Sequence, residues 1–301
     1  VTRVEEIRFI IQANYYQESS VMNDQILVVT DSSASLPPGL VTDLGIQVIP
    51  LWLVWDEDCY LDGVDIDPHT FYRKLQEASS LPTSTQPSAI EFRKFFENLG
   101  GKCSGIVCIL ASSKISGTVE SALAAQEFSP VPVRVVDSEF SAMGQGLIAV
   151  QAARAAVDGA SLDEVAIIAE GTRDKTNLLF VVDTLEYLHK GGRIGGAKRL
   201  LGTALDIKPI LHFDEGTIQP LSQTRTKKKA KNELLDIAAK LLEGKDMAEA
   251  AIVHVDCLDE AKQLKADVID RFDLSDVHIS DVSPVVGTHV GPGALGLAFY
   301  P

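Results

Sequence analysis

From Ile26 onward, short β-branched apolar runs alternate with stretches whose apolar residues recur at helical spacing, the pattern that builds parallel sheet from strand–helix units. The spacing predicts strands over residues 26–30, 46–54, 105–110 and 133–136. Each is a near-continuous apolar run, as a strand covered on both faces requires. Helix starts are marked between them. Ser88 stands three residues ahead of Glu91, just before Phe92, Phe95 and Phe96, and Ser161 stands three ahead of Glu164, before Val165, Ile168 and Ala169. In both places a hydroxyl and a carboxylate satisfy each other's end of the helix, which is a capping box.

The second half has a different rhythm, with strands predicted over 178–182, 207–213, 217–221 and 251–255. Asp214, Glu215 and Gly216 separate the middle two as a short acidic loop with glycine, which reads as a hairpin and demands antiparallel pairing. One amphipathic helix aligns Leu234, Ala238 and Leu241 and ends at Gly244; another aligns Ala261, Leu264, Val268 and Phe272. The fold class is therefore α/β in two domains. The first is a parallel α/β domain over about 25–170, and the second, over about 171–301, carries a mixed or antiparallel sheet. Residues 1–24 form an N-terminal extension.

Composition narrows the function. The 301 residues carry a net charge of −15, which repels phosphate backbones and anionic bilayers, so nucleic acid is not an expected partner. Cys59, Cys103, Cys108 and Cys257 form no C-x-x-C pair and no Cys/His group of zinc spacing; reduced thiols, no metal and no cofactor are expected. The alanine-rich run from Gly146 to Val157 is interrupted by Gln151 and Arg154, so no integral membrane segment is expected. Arg3, Glu5, Glu6 and Arg8 crowd the short cluster around Ile7 and Phe9, which suits no signal peptide, and a cytoplasmic protein follows as the expectation.

In open α/β sheets ligands sit beyond the carboxyl ends of the strands, and those positions here are rich in hydroxyls. Asp31, Ser32, Ser33 and Ser35 follow the first strand. Ser112, Ser113, Ser116, Gly117 and Thr118 follow the third, and Asp137 and Ser138 close the fourth. Hydroxyls and free N–H groups at helix starts make a place for a carboxylate or phosphate, although any one serine here is more simply a helix cap. Pro82 and Pro87 stiffen a loop in which Ser84 and Thr85 have no capping task. Residues 291–296 match G-x-G-x-x-G, but no helix and distant acidic residue follow, so these glycines read instead as a sharp turn beside His289. Arg193 lies in a glycine-flanked turn and reads as solvated. Arg225, Lys227, Lys228, Lys229 and Lys231 form a basic island, either a solvated face or a dock for an acidic partner. Walker-A, G-x-S-x-G and H-E-x-x-H motifs are absent.

Taken in order, several short motifs resemble those of the DegV family, bacterial fatty-acid-binding proteins that present acyl chains to a fatty-acid kinase. They are Asp31-Ser32-Ser33, Gln86-Pro87-Ser88, Ser116-Gly117-Thr118, Asp137-Ser138, Leu185-Glu186-Tyr187-Leu188 leading to Lys190-Gly191-Gly192-Arg193-Ile194, Lys208-Pro209-Ile210, and Gly287-Thr288-His289 before Gly291-Pro292-Gly293. The family's Thr-Ser-Gln-Pro-Ser stands here as Ser84-Thr85-Gln86-Pro87-Ser88, with the first two hydroxyl residues exchanged. The resemblance runs from about Ile26 to the end and implies a long-chain fatty acid held in a tunnel between the two domains. By the same resemblance Ser84 and Ser116 hold the carboxylate, supported by Thr85, Gly117, Thr118 and His289. Arg225 and Arg193 dock a partner fatty-acid kinase, and the chain is a lipid carrier with no catalytic residue of its own. The competing reading is an enzyme, a small-molecule phosphotransferase or acyl hydrolase using the Asp31/Ser116 region. A pure interaction module would leave the hydroxyl-rich loops without a task.

Overall fold

Strands that are apolar along their whole length need cover on both faces, and the chain supplies it by returning through helices. The computed structural model describes residues 25–202 and 207–301; the expected N-terminal extension lies outside them. In chain order the first half contains β1 (Ile26–Asp31), α1 (Pro38–Asp43), β2 (Gln47–Ile49), β3 (Trp52–Trp55), β4 (Asp58–Leu61), α2 (Pro68–Glu77), β5 (Thr83–Thr85), α3 (Ala89–Leu99), β6 (Gly105–Leu110), α4 (Thr118–Gln126), β7 (Val133–Asp137), α5 (Ala142–Val157) and α6 (Leu162–Arg173). The second half contains β8 (Asn177–Val181), α7 (Glu186–Lys190), β9 (Lys208–Asp214), β10 (Thr217–Thr224), α8 (Lys227–Leu241), β11 (Glu249–His254), α9 (Leu258–Phe272), β12 (His278–Asp281), α10 (Pro284–Val290) and β13 (Leu295–Tyr300).

The first sheet is parallel throughout, in the order β2-β1-β6-β7. Both predicted capping boxes are present, at Ser88/Glu91 on α3 and Ser161/Glu164 on α6. The second sheet is mixed, in the order β10-β9-β8-β13-β11-β12. Its hairpin β9–β10 is antiparallel, and Glu215 and Gly216 both take positive φ, 46° and 78°, the geometry that lets a two-residue turn follow the strands' twist. The predicted boundary at residue 170 falls within α6, and the chain enters the second sheet at Asn177.

Two expectations are corrected. The strand predicted over 46–54 is two strands in two sheets: Pro50 has no N–H to donate, so β2 stops at Ile49 and β3 starts a separate antiparallel sheet, β4-β3-β5. Leu241 is 42% exposed, and Leu242, buried, takes the inner position at the end of α8 because the buried row there runs through Ala230, Leu234, Leu235 and Ala238. Residues 291–293 make the turn expected beside His289, and β13 after it is a fully buried strand in the middle of the second sheet.

Helix α5 joins the halves. It packs on β1 and β6 of one sheet and on β11, β13 and β8 of the other, so its residues are buried nearly all round. Its far end is tied to the second sheet by one carboxylate. Arg154 donates to both oxygens of Glu249 at 2.6 and 2.9 Å, Tyr300 OH donates at 2.6 Å and Gln151 Nε2 at 2.9 Å. Burial alone would raise the Glu249 pKa, but His278, Arg154 and Tyr300 together hold it well below the usual carboxylate range.

Candidate functional site

Between the parallel and the mixed sheet, beside the near end of α5, lies a narrow cavity of about 90 Å³. Most of its wall is apolar, from Leu51, Phe180, Leu188, Phe213, Ile218, Val253, Val285 and Val286 among others, while Ser84, Thr85, Gln86, Ser116, Arg193 and His289 supply polar groups. Few polar groups on an apolar cleft is the usual build of a small-molecule site.

Three segments far apart in sequence meet at the polar groups. Ser84 is held on β5 opposite Leu53 of β3, between the two prolines that flank the strand. Its Oγ lies 2.7 Å from Nε2 of His289, on the last turn of α10. Ser116 comes from the loop after β6, which is folded on itself by the Ile115 and Ser116 N–H groups donating to Ser112 O. Ser112 Oγ in turn donates to Gly216 O at 2.8 Å, joining this loop to the β9–β10 hairpin. Ser116 Oγ is 2.7 Å from Thr118 Oγ1, and the side chain of Gln86 lies so close to Gly117 that a Cβ there would come within 2.8 Å of Nε2. The segment bearing Ser84 is thereby pressed against the segment bearing Ser116.

His289 is neutral around pH 7, because burial, aided by the nearby Arg193 guanidinium, lowers its pKa to about 4. Its Nδ1 abuts the turn after α7, where any Cβ at Gly191 would lie 2.1 Å away, so only glycine fits. Arg193 donates from Nε to Ile115 O at 3.0 Å and from Nη1 to Gly191 O at 2.8 Å, bridging the first half to the second at the cavity wall. The arrangement offers hydroxyl groups, a neutral imidazole and one guanidinium to an anion, above a narrow apolar channel.

Of the residues singled out from the sequence, Ser84, Thr85, Ser116 and His289 line this one cavity, and Thr118 and Gly117 support it from behind. Arg193, expected at a docking surface, is on the wall. Arg225 is not; it is exposed just ahead of α8 and has no hydrogen bond or ion pair to a described residue. Lys227 beside it is engaged, 3.0 Å from Glu260. Asp31, a candidate nucleophile or base, is fully buried off the cavity wall. Its Oδ1 accepts from Ser33 N and Oγ at 2.9 and 2.5 Å, capping the turn after β1, and its Oδ2 accepts from Ala111 N at 2.8 Å, tying β1 to the end of β6. Burial raises its pKa against those hydrogen bonds.

Sequence reasoning missed the wall positions Ser141 and Ala142, where α5 begins at the cavity. Ala142 adopts φ 49°, a left-handed conformation costing about 1 kcal/mol in a residue with a Cβ, and no pattern in the sequence signals it. All four cysteines are free, and among the described residues no group of His, Cys, Asp and Glu side chains could hold a metal ion, nor is any helix long and apolar enough to cross a membrane.

Residues 25–301 match the family model described as "Uncharacterised protein, DegV family". Protein DegV of Bacillus subtilis is 37% identical over 279 residues, covering 91% of this chain and 98% of that protein. A DegV domain-containing protein of Halalkalibacterium halodurans is 37% identical over 278 residues, covering 92% and 98%. Among solved structures, a DegV family protein from Thermus thermophilus described in terms of its fatty acid binding superposes with TM-score 0.86 at 33% identity, over 92% of this chain and 99% of its own. DegV from Bacillus subtilis, described as a fatty acid binding protein, gives 0.85 at 33% identity, over 93% and 100%. With the match spanning every described residue and the α/β fold shared with these relatives, the chain belongs to the DegV family.

Proposed function

We propose that the chain is a carrier that binds one long-chain fatty acid in the narrow cavity and presents its carboxylate to a partner fatty-acid kinase. The observation that carries this reading is the asymmetry of the cavity, with apolar walls along most of its surface and Ser84, Ser116, His289 and Arg193 among its few polar groups. Relatives at 33% identity with the same fold are described as binding fatty acids, which supports the ligand class. In this reading the carboxylate takes hydrogen bonds from Ser84 and Ser116, each held in place by a second polar group. Hydroxyl donors hold a carboxylate less firmly than a pair of guanidinium groups, which suits a ligand that has to react further. Neither Asp31 oxygen is left over for acid–base chemistry, which disfavours the enzyme reading.

Denaturing extraction of protein purified from a lipid-containing host, followed by mass spectrometry, should release a long-chain fatty acid in an amount equal to the protein. Well-folded protein that yields no acyl species, and takes up none when offered, overturns the proposal. The docking role is assigned to Arg225, whose exposed, unpaired guanidinium suits a carboxylate on another protein. Arg225→Ala should leave fatty acid occupancy unchanged while impairing phosphorylation of bound fatty acid by a cognate kinase. A variant that loses its lipid, or supports phosphorylation as well as the parent, removes Arg225 from this role.

A further inference from the structure

Resting on that fatty-acid reading, the shape of the cavity floor says what limits the acyl chain. Along β13, Leu297 and Phe299 pack into the core formed with α8 and α9, so by the two-residue period of a strand Gly296 and Ala298 face the other way; Gly296 is on the cavity wall, as is Leu295 at the start of the strand, while Ala298 is buried in the core on the α5 side. In register, Gly296 sits between Phe180 of β8 and Val253 of β11, and all three are on the cavity wall. One row further along, Ala298 sits opposite Leu178, which is also on the wall. Ala294, just before β13, lines the cavity nearest the turn that follows α10 and His289. The segment thus presents Ala294 and Gly296 to the cavity while β8 beside it presents Phe180 and Leu178, so the wall has a groove over the start of β13. From position 294 to 296 the groove is about 7 Å long at about 3.3 Å per residue. Its floor at Gly296 is the protein's own backbone, because a Cβ there would meet Val253 Cγ2 at 2.9 Å, Leu179 O at 3.0 Å and Phe180 Cβ at 3.0 Å.

We propose that the row Phe180–Gly296–Val253 is the specificity-determining element for acyl-chain length: the chain lies in the groove over Gly296, and the side chains flanking that glycine set how many methylenes fit beyond it. Each methylene moved between water and an apolar wall changes affinity about fourfold, so the effect reads directly in a chain-length profile.

The test is competition among saturated fatty acids of graded length, from lauric to arachidic, for delipidated protein, read by native mass spectrometry. Val253→Ala and Phe180→Leu, which widen the row, should shift the preference toward the longer acids by about fourfold or more in the affinity ratio of stearic to myristic acid. Ala294→Val, which narrows the groove at its entrance beside the carboxylate end, meets acids of every length and should weaken them all alike without changing the ratio. A profile that keeps its shape in both widened variants overturns the length-determining role and leaves fatty acid binding standing. Failure of the unsubstituted protein to bind any of the acids overturns the fatty-acid reading itself.

Discussion

Asp62 follows β4 and is 2% exposed, yet neither of its carboxylate oxygens has a hydrogen-bond partner of normal geometry among the described residues. Burial raises its pKa from 3.8 to about 7, with the Asp31 charge adding to the rise and the Ser32 and Ser283 hydroxyls and the Val285 N–H offsetting only part of it. A shift of that size corresponds to about 4 kcal/mol at about 1.4 kcal/mol per pK unit. The sign follows from which form the fold prefers. The folded state favours the protonated acid, so the full stability is present below the unfolded value of 3.8 and is lost as pH rises through the folded value of about 7. Asp62→Asn keeps the shape and removes the titration. Relative to wild type, the variant should therefore gain about 4 kcal/mol of stability between pH of about 4 and about 8, with the ionisations not coupled to Asp62 cancelling in the difference. Urea unfolding over a pH series measures it, and the protein's two tryptophans, Trp52 and Trp55, both on β3 with Trp52 paired to Leu61, give a fluorescence signal from this same corner. Wild-type and variant stabilities that run parallel across the series would refute the reasoning.

Three further outcomes are expected. Ser84→Ala and Ser116→Ala should each weaken fatty acid binding by about 1.5 to 3 kcal/mol, the worth of a hydrogen bond to a charged group, and titration calorimetry showing unchanged affinity in both and in the double variant would move the carboxylate elsewhere. Because His289 is neutral until pH falls to about 4, affinity should stay flat as pH falls through 6.5; a His289 imidazole that titrates near 6.5 by NMR would contradict this. Glu249→Gln should cost about 2 to 3 kcal/mol by loosening α5 from the second sheet, and in the wild type the same support, full above the unfolded value of 4.5, should fade as pH falls below it toward the depressed folded pKa; equal stability of the two proteins at neutral pH would show the cluster to be idle.

What was legible in the sequence followed from local chemistry. A strand such as β6 announces itself because all its residues are apolar, and the caps of α3 and α6 are complete within four residues. The hairpin at Glu215 and Gly216 is equally local. Strands of three or four residues, such as β5 and β12, have too few alternations to stand out, and the separation of β2 from β3 was visible only as Pro50. Within the site, Ser84 and His289 are 205 positions apart, so their 2.7 Å contact is a product of tertiary packing and was anticipated only through the family resemblance. Arg193 reads as solvated because its partner, Ile115 O, is 78 positions away. In the tail, Gly291 and Gly293 take positive φ in the turn expected beside His289, whereas Gly296 serves the close packing of β13 between β8 and β11, a tertiary demand that nothing local signals.

The place of β13 has a consequence for how the protein is made. It lies between β8 and β11 in its sheet, so until it pairs no strand joins β10-β9-β8 to β11-β12, and each of these ribbons keeps an apolar edge open. Pairing β13 with β8 closes a loop of more than a hundred residues, a non-local contact that is slow to form. Since Ala294 and Gly296 are on the cavity wall, the cavity is complete only once that strand docks. The time before β13 docks is when the exposed edges of β8 and β11 are most open to mispairing and to capture by chaperones.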